Sequence, residues 1–353
     1  MKTTVLAVLI VLGMVIYSMF TYGEFGYDRS MTMAAYSELD GKMVSGRRGY
    51  EHNKEVATAY KGEVTEEFLK KMHEDYNASS FAVVNDSKFY NGTYRFFRDV
   101  FAIEHEHYFG KEEVWGKVDG SIIYGFSGDW DSYGNILGDL FKAFSFFIII
   151  FAAPLFTNER ECGMLETVGT VRYGGNQLLK YKMKAVFTVL NVFLFVMLVF
   201  VSIFHFSQFG FANADVSIQC SAEKSFVTAL LSCNMGQLTV FKLLFGVLGC
   251  NMILMSVVLI SMLSMSSLAS LCISFIATWA LNYTIVHALV RHRVLDMVLA
   301  ILPVNALDIE SLIKAASDKV VLCVIFILQM VIFIGLFVIT KKLWDKRTFY
   351  TKK

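Results

Sequence analysis

The hydrophobic positions of this chain gather into six long apolar stretches separated by polar segments. A membrane-spanning helix requires about 20 mostly apolar residues, and each stretch is close to that length. The stretches cover residues 4–22, 139–157, 185–206, 240–263, 267–290 and 319–340. This pattern predicts an all-α polytopic membrane protein with six transmembrane helices.

The first apolar stretch allows two interpretations. Lys2 precedes it, as a basic residue precedes the apolar core of a secretory signal peptide. However, no clear small-residue cleavage site precedes the segment from Glu24 to Arg29. We therefore expect residues 1–22 to form an uncleaved transmembrane helix.

Basic residues distinguish the loops on the two sides of the membrane. The 158–184 loop and the C-terminal tail are rich in them, whereas the 207–239 loop has only Lys224. They are Arg160, Arg172, Lys180, Lys182 and Lys184 in the loop, and Lys341, Lys342, Lys346, Arg347, Lys352 and Lys353 in the tail. Cytoplasmic loops carry an excess of Lys and Arg. The sequence thus predicts a multi-pass plasma-membrane protein with both termini in the cytoplasm.

This topology places residues 23–138 outside the cell, as a large insertion between the first and second spans. The insertion is polar and aromatic, and it is long enough to bury a small core. Apolar residues recur every four positions within 61–76 and predict a helix there. We expect an α-rich or α+β extracytoplasmic domain, followed by a transmembrane domain over 139–353.

The composition agrees with helices packed in lipid, since 55% of the residues are hydrophobic and 15% are aromatic. The formal net charge of +1 indicates no particular partner, and no nucleic-acid partner is expected. Of the six cysteines, Cys220 and Cys233 are the two predicted to lie in an exterior loop. An oxidising exterior permits a disulfide between them, and two free thiols are the alternative.

The cytoplasmic loop after the second span contains a candidate amphipathic helix over 158–175. Its apolar positions Met164, Leu165, Val168 and Val171 have helical spacing. Acidic residues occupy its first turns, where the positive end of a helix stabilises them. They are Glu159, Glu161 and Glu166. Such a helix, parallel to the membrane and fixed to two spans, could transmit a push from a soluble partner; the alternative is a solvated loop that only anchors the topology.

The last three spans have unusual connections. Spans four and five have almost no loop between them, so the chain must turn around residues 262–267 with its backbone groups bonded to hydroxyls and neighbouring helices. After span five, residues 291–318 are semi-apolar, interrupted at Pro303 and too short to cross the membrane twice. They predict short helices that dip into the outer leaflet before span six.

The chain offers few candidates for chemistry. Asn282 and His287 lie in span five, where polar and ionisable side chains suggest a transport pathway. His105 and His107 alone are too few ligands to predict a metal site. No G-x-x-x-x-G-K-[ST] phosphate loop is present. We therefore expect neither a catalytic site nor a cofactor in this chain.

Together these features resemble the ABC-2 type permeases, the membrane subunits of ABC exporters. The resemblance rests on the order of one span, a large exterior segment and a second span, followed by a cytoplasmic E-x-G…L…R…L…K pattern. The residues of that pattern are Glu161, Gly163, Leu165, Arg172, Leu179 and Lys182 or Lys184.

The resemblance implies that 158–175 is a coupling helix that docks into a groove of a nucleotide-binding subunit. The implied docking residues are Glu159, Glu161, Gly163, Met164, Leu165, Val168 and Arg172. ATP and Mg²⁺ would then bind to a separate cytosolic ATPase subunit. The resemblance also implies that two permease subunits, identical or related, form one transporter, and that 291–318 is a pair of re-entrant helices.

The sequence therefore predicts a permease subunit of an ATP-driven exporter for an amphipathic cargo such as a peptide, drug or lipid. A second hypothesis is a membrane sensor or resistance component whose 23–138 domain binds a peptide or antibiotic. A third hypothesis, an intramembrane protease or acyltransferase, needs acids, histidines or metal ligands that converge at one depth, and the spans contain too few of them.

Overall fold

Helices dominate the fold. The computed structural model describes residues 2–22, 35–37, 42–44, 47–65, 67–68, 71, 121–164, 176–221, 226, 229–280, 299–307, 309, 312–313, 316 and 318–350. Its α-helices are α1 (Lys2–Tyr22), α2 (Arg47–Ala59), α3 (Gly128–Ala152), α4 (Thr157–Glu161), α5 (Asn176–Phe209), α6 (Met235–Leu263), α7 (Ser267–Phe275) and α8 (Lys319–Tyr350). A π-helical segment, Ile276–Ala280, continues α7, and short 3-10 helices cover Ile218–Cys220 and Asn305–Leu307.

Four helical regions are long and apolar enough to cross a membrane. They are Gly128–Glu161, Gln177–Phe209, Met235–Leu263 and Lys319–Asp345. The apolar parts of α1 and α7 that the structure describes, Val11–Thr21 and Ser267–Trp279, are shorter. The structure thus agrees with a helical membrane protein, whereas the topology of six spans stays a prediction.

The helices extend beyond the apolar stretches that predicted them. α3 begins well before the expected start at residue 139, and acidic residues in its first turn, Asp129 and Asp131, favour this early start. α5 begins before the expected residue 185, and α8 continues past the expected residue 340. Apolar length therefore located these helices but not their ends.

α3 and α6 form the centre of the bundle. They approach closely because Gly246 leaves room for the ring of Phe141, which a Cβ at position 246 would overlap. Buried side chains of α1, α5 and α8 complete one hydrophobic core around this pair. The hydroxyl of Ser18 on α1 also donates a 2.9 Å hydrogen bond to the carboxylate of Asp139 on α3.

A polar pair joins α5 to α6 within the apolar core. The side-chain amides of Asn191 and Asn251 donate hydrogen bonds to each other's oxygens, at 2.9 and 3.0 Å. Each amide also donates to the carbonyl oxygen four residues earlier in its own helix. Hydrogen bonds of this kind hold neighbouring helices together in lipid, where no water competes for them.

α5 and α8 each pack on the bundle by one side and expose the other. α5 buries Leu190 and Leu194 but leaves 67% of Phe195 exposed. α8 buries Leu322 but leaves 55% of Ile334 exposed. Large apolar faces of this length are unfavourable in water and stable in lipid. The exposed faces therefore support insertion of the bundle into a membrane.

The segment that precedes α8 packs deep into the bundle. Near the middle of α6, a Cβ on Gly249 would lie 2.9 Å from both the carbonyl oxygen of Pro303 and the Cβ of Ala306. The fully buried Gln329 of α8 holds the same segment, because its amide donates a 2.8 Å hydrogen bond to the carbonyl oxygen of Ala300. The segment thus reaches the depth of the middle of α6.

The described part of the 23–138 insertion contains α2 and two small antiparallel sheets. The strands pair as β1 (Ala35–Ser37) with β2 (Lys42–Val44), and β3 (Gly62–Glu63) with β4 (Ile123–Tyr124). The helix predicted over 61–76 is wrong at its beginning, because β3 pairs with β4 there instead. Among the described residues of the insertion, the apolar spacing did not predict α2.

The segments before α3 and α8 and the connection between α5 and α6 enclose a second hydrophobic core, against the ends of α3, α6 and α8. Cys220 and Cys233 lie in it as buried free thiols, so the predicted disulfide is not supported. The Sγ of Cys220 contacts the carbonyl oxygen of Ile123 at 3.6 Å rather than the other sulfur. Burial raises the pKa of both thiols to about 12.

Candidate functional site

The start of the predicted coupling helix forms a compact junction. α4 ends at Glu161, and the chain then turns through Cys162–Met164, with Gly163 in the left-handed region at φ 67°. The helix predicted over 158–175 is therefore interrupted, because a left-handed residue cannot continue a right-handed helix. The remaining expected docking residues, Leu165, Val168 and Arg172, lie outside the described residues. We call α4 and its contacts with neighbouring helices the α4 junction.

Arg160 binds the C-terminal end of α6. Its guanidinium donates hydrogen bonds to the carbonyl oxygens of Met262, at 3.0 Å, and Ser264. The last carbonyls of a helix have no partners within the helix, and they carry a partial negative charge. A guanidinium supplies both the missing donors and the opposite charge. Arg160 thus stabilises the point where α6 ends.

Glu161 binds the N-terminal end of α7. Its carboxylate accepts a 2.6 Å hydrogen bond from the backbone N–H of Ser267 and a 2.9 Å hydrogen bond from the Ser267 hydroxyl. The first N–H groups of a helix are unpaired and carry partial positive charge, so a carboxylate there is favourable. Ser266 caps the same end, because its hydroxyl oxygen accepts from the N–H of Ala269 at 3.2 Å.

Arg160 and Glu161 therefore hold two helix ends of opposite polarity from adjacent positions. The sequence predicted that hydroxyls and neighbouring helices satisfy the turn between α6 and α7, but it did not predict the role of Arg160. A signal for it exists in the sequence. The charges of Glu159, Arg160 and Glu161 alternate directly after an apolar stretch. The turn between α6 and α7 has almost no loop, so it needs a cation for the carbonyls that end α6 and an anion for the N–H groups that begin α7.

Lys182 connects the junction to α5. Its ammonium forms an ion pair with the carboxylate of Glu159 and donates a 3.0 Å hydrogen bond to the carbonyl oxygen of Leu155. It also lies 5.2 Å from the ring centroid of Phe156. The two charged side chains are only 22% and 17% exposed, so water screens the pair weakly. The sequence pattern ended at Lys182 or Lys184, and Lys182 is the one that lies at the junction.

The apolar side of the junction reaches α8. The ring of Phe156 meets that of Trp344 edge to face, with 5.4 Å between centroids. The Ser261 hydroxyl accepts a 3.1 Å hydrogen bond from the N–H of Phe156 and donates a 2.7 Å bond to the carbonyl oxygen of Ala153. The junction therefore contacts α5, α6, α7 and α8 within a few residues.

The tip of the junction faces solvent. Cys162, Gly163 and Met164 are exposed, and the Met164 side chain is 53% exposed. A flexible apolar Met next to charged residues suits contact with another protein, since Met adapts to irregular surfaces. The tip continues directly from the residues that hold the helix ends. A force on it would act on Arg160 and Glu161.

Comparisons of the chain with protein-family models, with curated proteins and with solved structures found no match. The geometry of the α4 junction is therefore the strongest indication of function. The candidate pathway residues Asn282 and His287 lie outside the described residues. Among the residues that the structure does describe, no group of three or more His, Cys, Asp or Glu side chains could hold a metal ion.

A second polar contact joins α2 to the N-terminal end of α3. Asp129 is only 2% exposed, and its carboxylate accepts hydrogen bonds from the Tyr50 hydroxyl and, at 3.0 Å, from the Lys54 ammonium. Tyr50 and Lys54 lie on α2. A buried carboxylate is stable only with such partners, so this contact fastens α2 to α3.

Proposed function

We propose that this chain is the membrane subunit of a transporter driven by a separate cytosolic ATPase, and that it exports an amphipathic cargo. The observation that carries this proposal is the α4 junction. One short helix with an exposed tip is bonded to the ends of two helices and to the side of a third. A partner that moves the tip would move those helices together.

The proposed mechanism needs a difference between two states. ATP binding would bring two ATPase subunits together and shift the tip at Cys162–Met164. The Arg160 and Glu161 hydrogen bonds would pass this shift to the α6–α7 turn, and the Glu159–Lys182 ion pair would pass it to α5. ATP can drive the change only to the extent that it binds one state more tightly than the other.

The proposal includes six spans, a plasma-membrane location and two cytoplasmic termini. α1 and α7 would be the two spans beyond the four long helices. The depth of the segment beside Gly249 and Gln329 supports a re-entrant element before the last span. Two membrane subunits, identical or related, would form the complete transporter.

The direct test is to purify the full-length chain from its native cells in mild detergent and to identify bound proteins. We expect a protein that binds and hydrolyses ATP. The variant Met164→Glu should lose that partner, because it places a charge at the centre of the exposed tip. The control Lys71→Glu introduces the same residue at an exposed site of the insertion and should keep the partner.

A second candidate function, a membrane sensor, is favoured by the buried contact of Asp129 with α2. This contact connects the insertion to α3, and the chain leaves α3 directly into α4. Ligand binding to the insertion could therefore change the exposure of the tip. A ligand that binds the full-length chain without any ATP-dependent transport would favour the sensor, whereas ATP-dependent flux through reconstituted protein would favour the exporter.

A further inference from the structure

α5 and α8 lie side by side toward the end of the bundle that carries the α4 junction, and we call the outer side of the line along which they meet the α5–α8 groove. The two helices touch through Phe187 and Phe333, whose ring centroids are 6.2 Å apart. α5 begins near the junction, where Lys182 binds Leu155, and α8 approaches its end there, where Trp344 meets Phe156. The two helices are therefore antiparallel.

Two lysines of α5 border this groove. Lys184 and Lys180 precede Phe187 by three and seven residues. An α-helix turns by about 100° per residue. Viewed along the axis of α5, both lysines therefore project within about 60° of the direction of Phe187, which points toward α8. Both side chains are exposed. They lie one helical turn apart, on the same side of α5.

A lysine of α8 borders the same groove. Lys341 follows Phe333 by eight residues, is exposed, and projects about 80° from the direction of that ring. Because both helices are right-handed and run in opposite directions, these rotations bring Lys180, Lys184 and Lys341 to one side of the helix pair. The opposite side faces the bundle, as the buried Leu190 and Thr340 show.

The depths of the three lysines also agree. At 1.5 Å per residue, they lie about 4 to 12 Å from the level of the ring pair, all toward the junction end. Within the part of the chain that the structure describes, none of their ammonium groups has an ion-pair or hydrogen-bond partner. Asp345 lies one turn beyond Lys341, so these four described residues, three lysines and one carboxylate, carry a formal net charge of about +2.

Further along the groove the surface is apolar. Phe195 on α5 and Ile334 on α8 project to the same side, and they are 67% and 55% exposed. Phe337, which is 48% exposed, projects to this side as well, between the levels of Lys184 and Lys341. Tyr181, which is 66% exposed, lies beside the lysines, at the level where aromatic residues meet lipid headgroups. A cationic end followed by apolar walls matches a phosphate group followed by acyl chains.

We propose that the α5–α8 groove is a binding site for an acidic phospholipid. Lys180, Lys184 and Lys341 bind its phosphate, and Ile334 and Phe195 line the path of its acyl chains. The occupant is a membrane lipid rather than a free anion, because the apolar walls continue directly from the cationic end. This site is independent of the transport proposal and requires only that the bundle lies in a membrane.

The test compares two variants of the full-length chain with equal net charge. Lys184→Gln with Lys341→Gln removes two groove lysines. The control, Lys71→Gln with Lys342→Gln, removes one exposed lysine of the insertion and one that projects to the opposite side of α8. Binding of phosphatidylglycerol and of phosphatidylcholine would be measured by native mass spectrometry of the detergent-solubilised proteins.

We expect wild type to bind phosphatidylglycerol more tightly than phosphatidylcholine. Since one lysine near the membrane surface contributes about fivefold to the affinity for an acidic lipid, the groove variant should bind phosphatidylglycerol about 25-fold more weakly. The control should stay within about twofold of wild type. Equal binding by both variants, equal binding of the two lipids, or displacement of the bound lipid by inorganic phosphate alone would overturn the proposal.

Discussion

Arg160 donates a 3.0 Å hydrogen bond to the carbonyl oxygen of Met262, next to the last residue of α6. The two residues are distant in sequence, and their contact places a cation from one loop on the end of a helix from another part of the chain. Glu161 completes the arrangement at the beginning of α7. A turn that would otherwise leave backbone groups unpaired is closed by two adjacent side chains.

Removal of the Arg160 guanidinium should destabilise the protein. Arg160→Ala leaves the carbonyls of Met262 and Ser264 without their charged donor, so we expect a loss of about 2 kcal/mol. Arg160→Lys keeps the charge but not the forked geometry, and it should lose about half as much. Unfolding in detergent by a chemical denaturant measures both. Lys71→Ala, a change at an exposed site, should stay within about 0.5 kcal/mol of wild type.

The Glu159–Lys182 ion pair should show a measurable coupling energy. A double-mutant cycle with Glu159→Gln and Lys182→Gln should give about 1 kcal/mol, because both side chains are mostly buried. The pair of Lys61 and Asp215 is a suitable comparison, since its side chains are 33% and 54% exposed. Its coupling should be about 0.3 kcal/mol and should fall further in high salt. Equal coupling energies would contradict a special role for the partly buried pair.

Gly249 should tolerate no side chain. Gly249→Ala brings a methyl group to 2.9 Å from Pro303 and Ala306, so the buried segment must shift, at a cost of about 1 to 3 kcal/mol. Gly335→Ala is the matched control on α8, because a Cβ there has no neighbour within 4 Å. It should be neutral or slightly stabilising. Thermal unfolding of the two variants would be compared with that of wild type. A Gly249→Ala protein as stable as wild type would contradict the close approach of this segment.

Cys220 and Cys233 should react slowly and should not be joined. Only a thiolate attacks a maleimide, and a pKa raised to about 12 by burial leaves almost no thiolate at pH 8. The exposed Cys162 should be labelled first and serves as an internal standard. After unfolding without reductant, both buried thiols should become labelled. Peptide mass spectrometry that finds the two cysteines linked would contradict this prediction.

Four of the six predicted spans coincide with helices that are long and apolar enough to cross a membrane, because lipid imposes a simple requirement. A helix that crosses a bilayer must be apolar over its whole length, and that is visible in one dimension. The ends were not predictable in this way, because α3 begins in polar sequence that is stabilised by Asp129 contacts with α2. Those contacts join residues that are far apart in the chain.

The candidate site was located by its charges, but its geometry was not predicted. Helical spacing around Met164 suggested one long helix, whereas the left-handed conformation of Gly163 interrupts it. The contacts of Arg160 and Glu161 depend on how α6 and α7 pack beside α4, which local spacing does not encode. The proposed cysteine pair failed for a similar reason, since two cysteines in one loop need not approach each other.

ATP hydrolysis by the purified complex of this chain with the proposed cytosolic ATPase would distinguish transmission through the α4 junction from simple attachment. The complex would be prepared with wild type and with Arg160→Ala, whose exposed tip is unchanged. We predict that both forms retain the ATPase, and that only wild type changes its rate of hydrolysis from that of the isolated ATPase. An Arg160→Ala complex that hydrolyses ATP like wild type, or a wild-type chain that binds no ATPase, would contradict the proposed role of the junction.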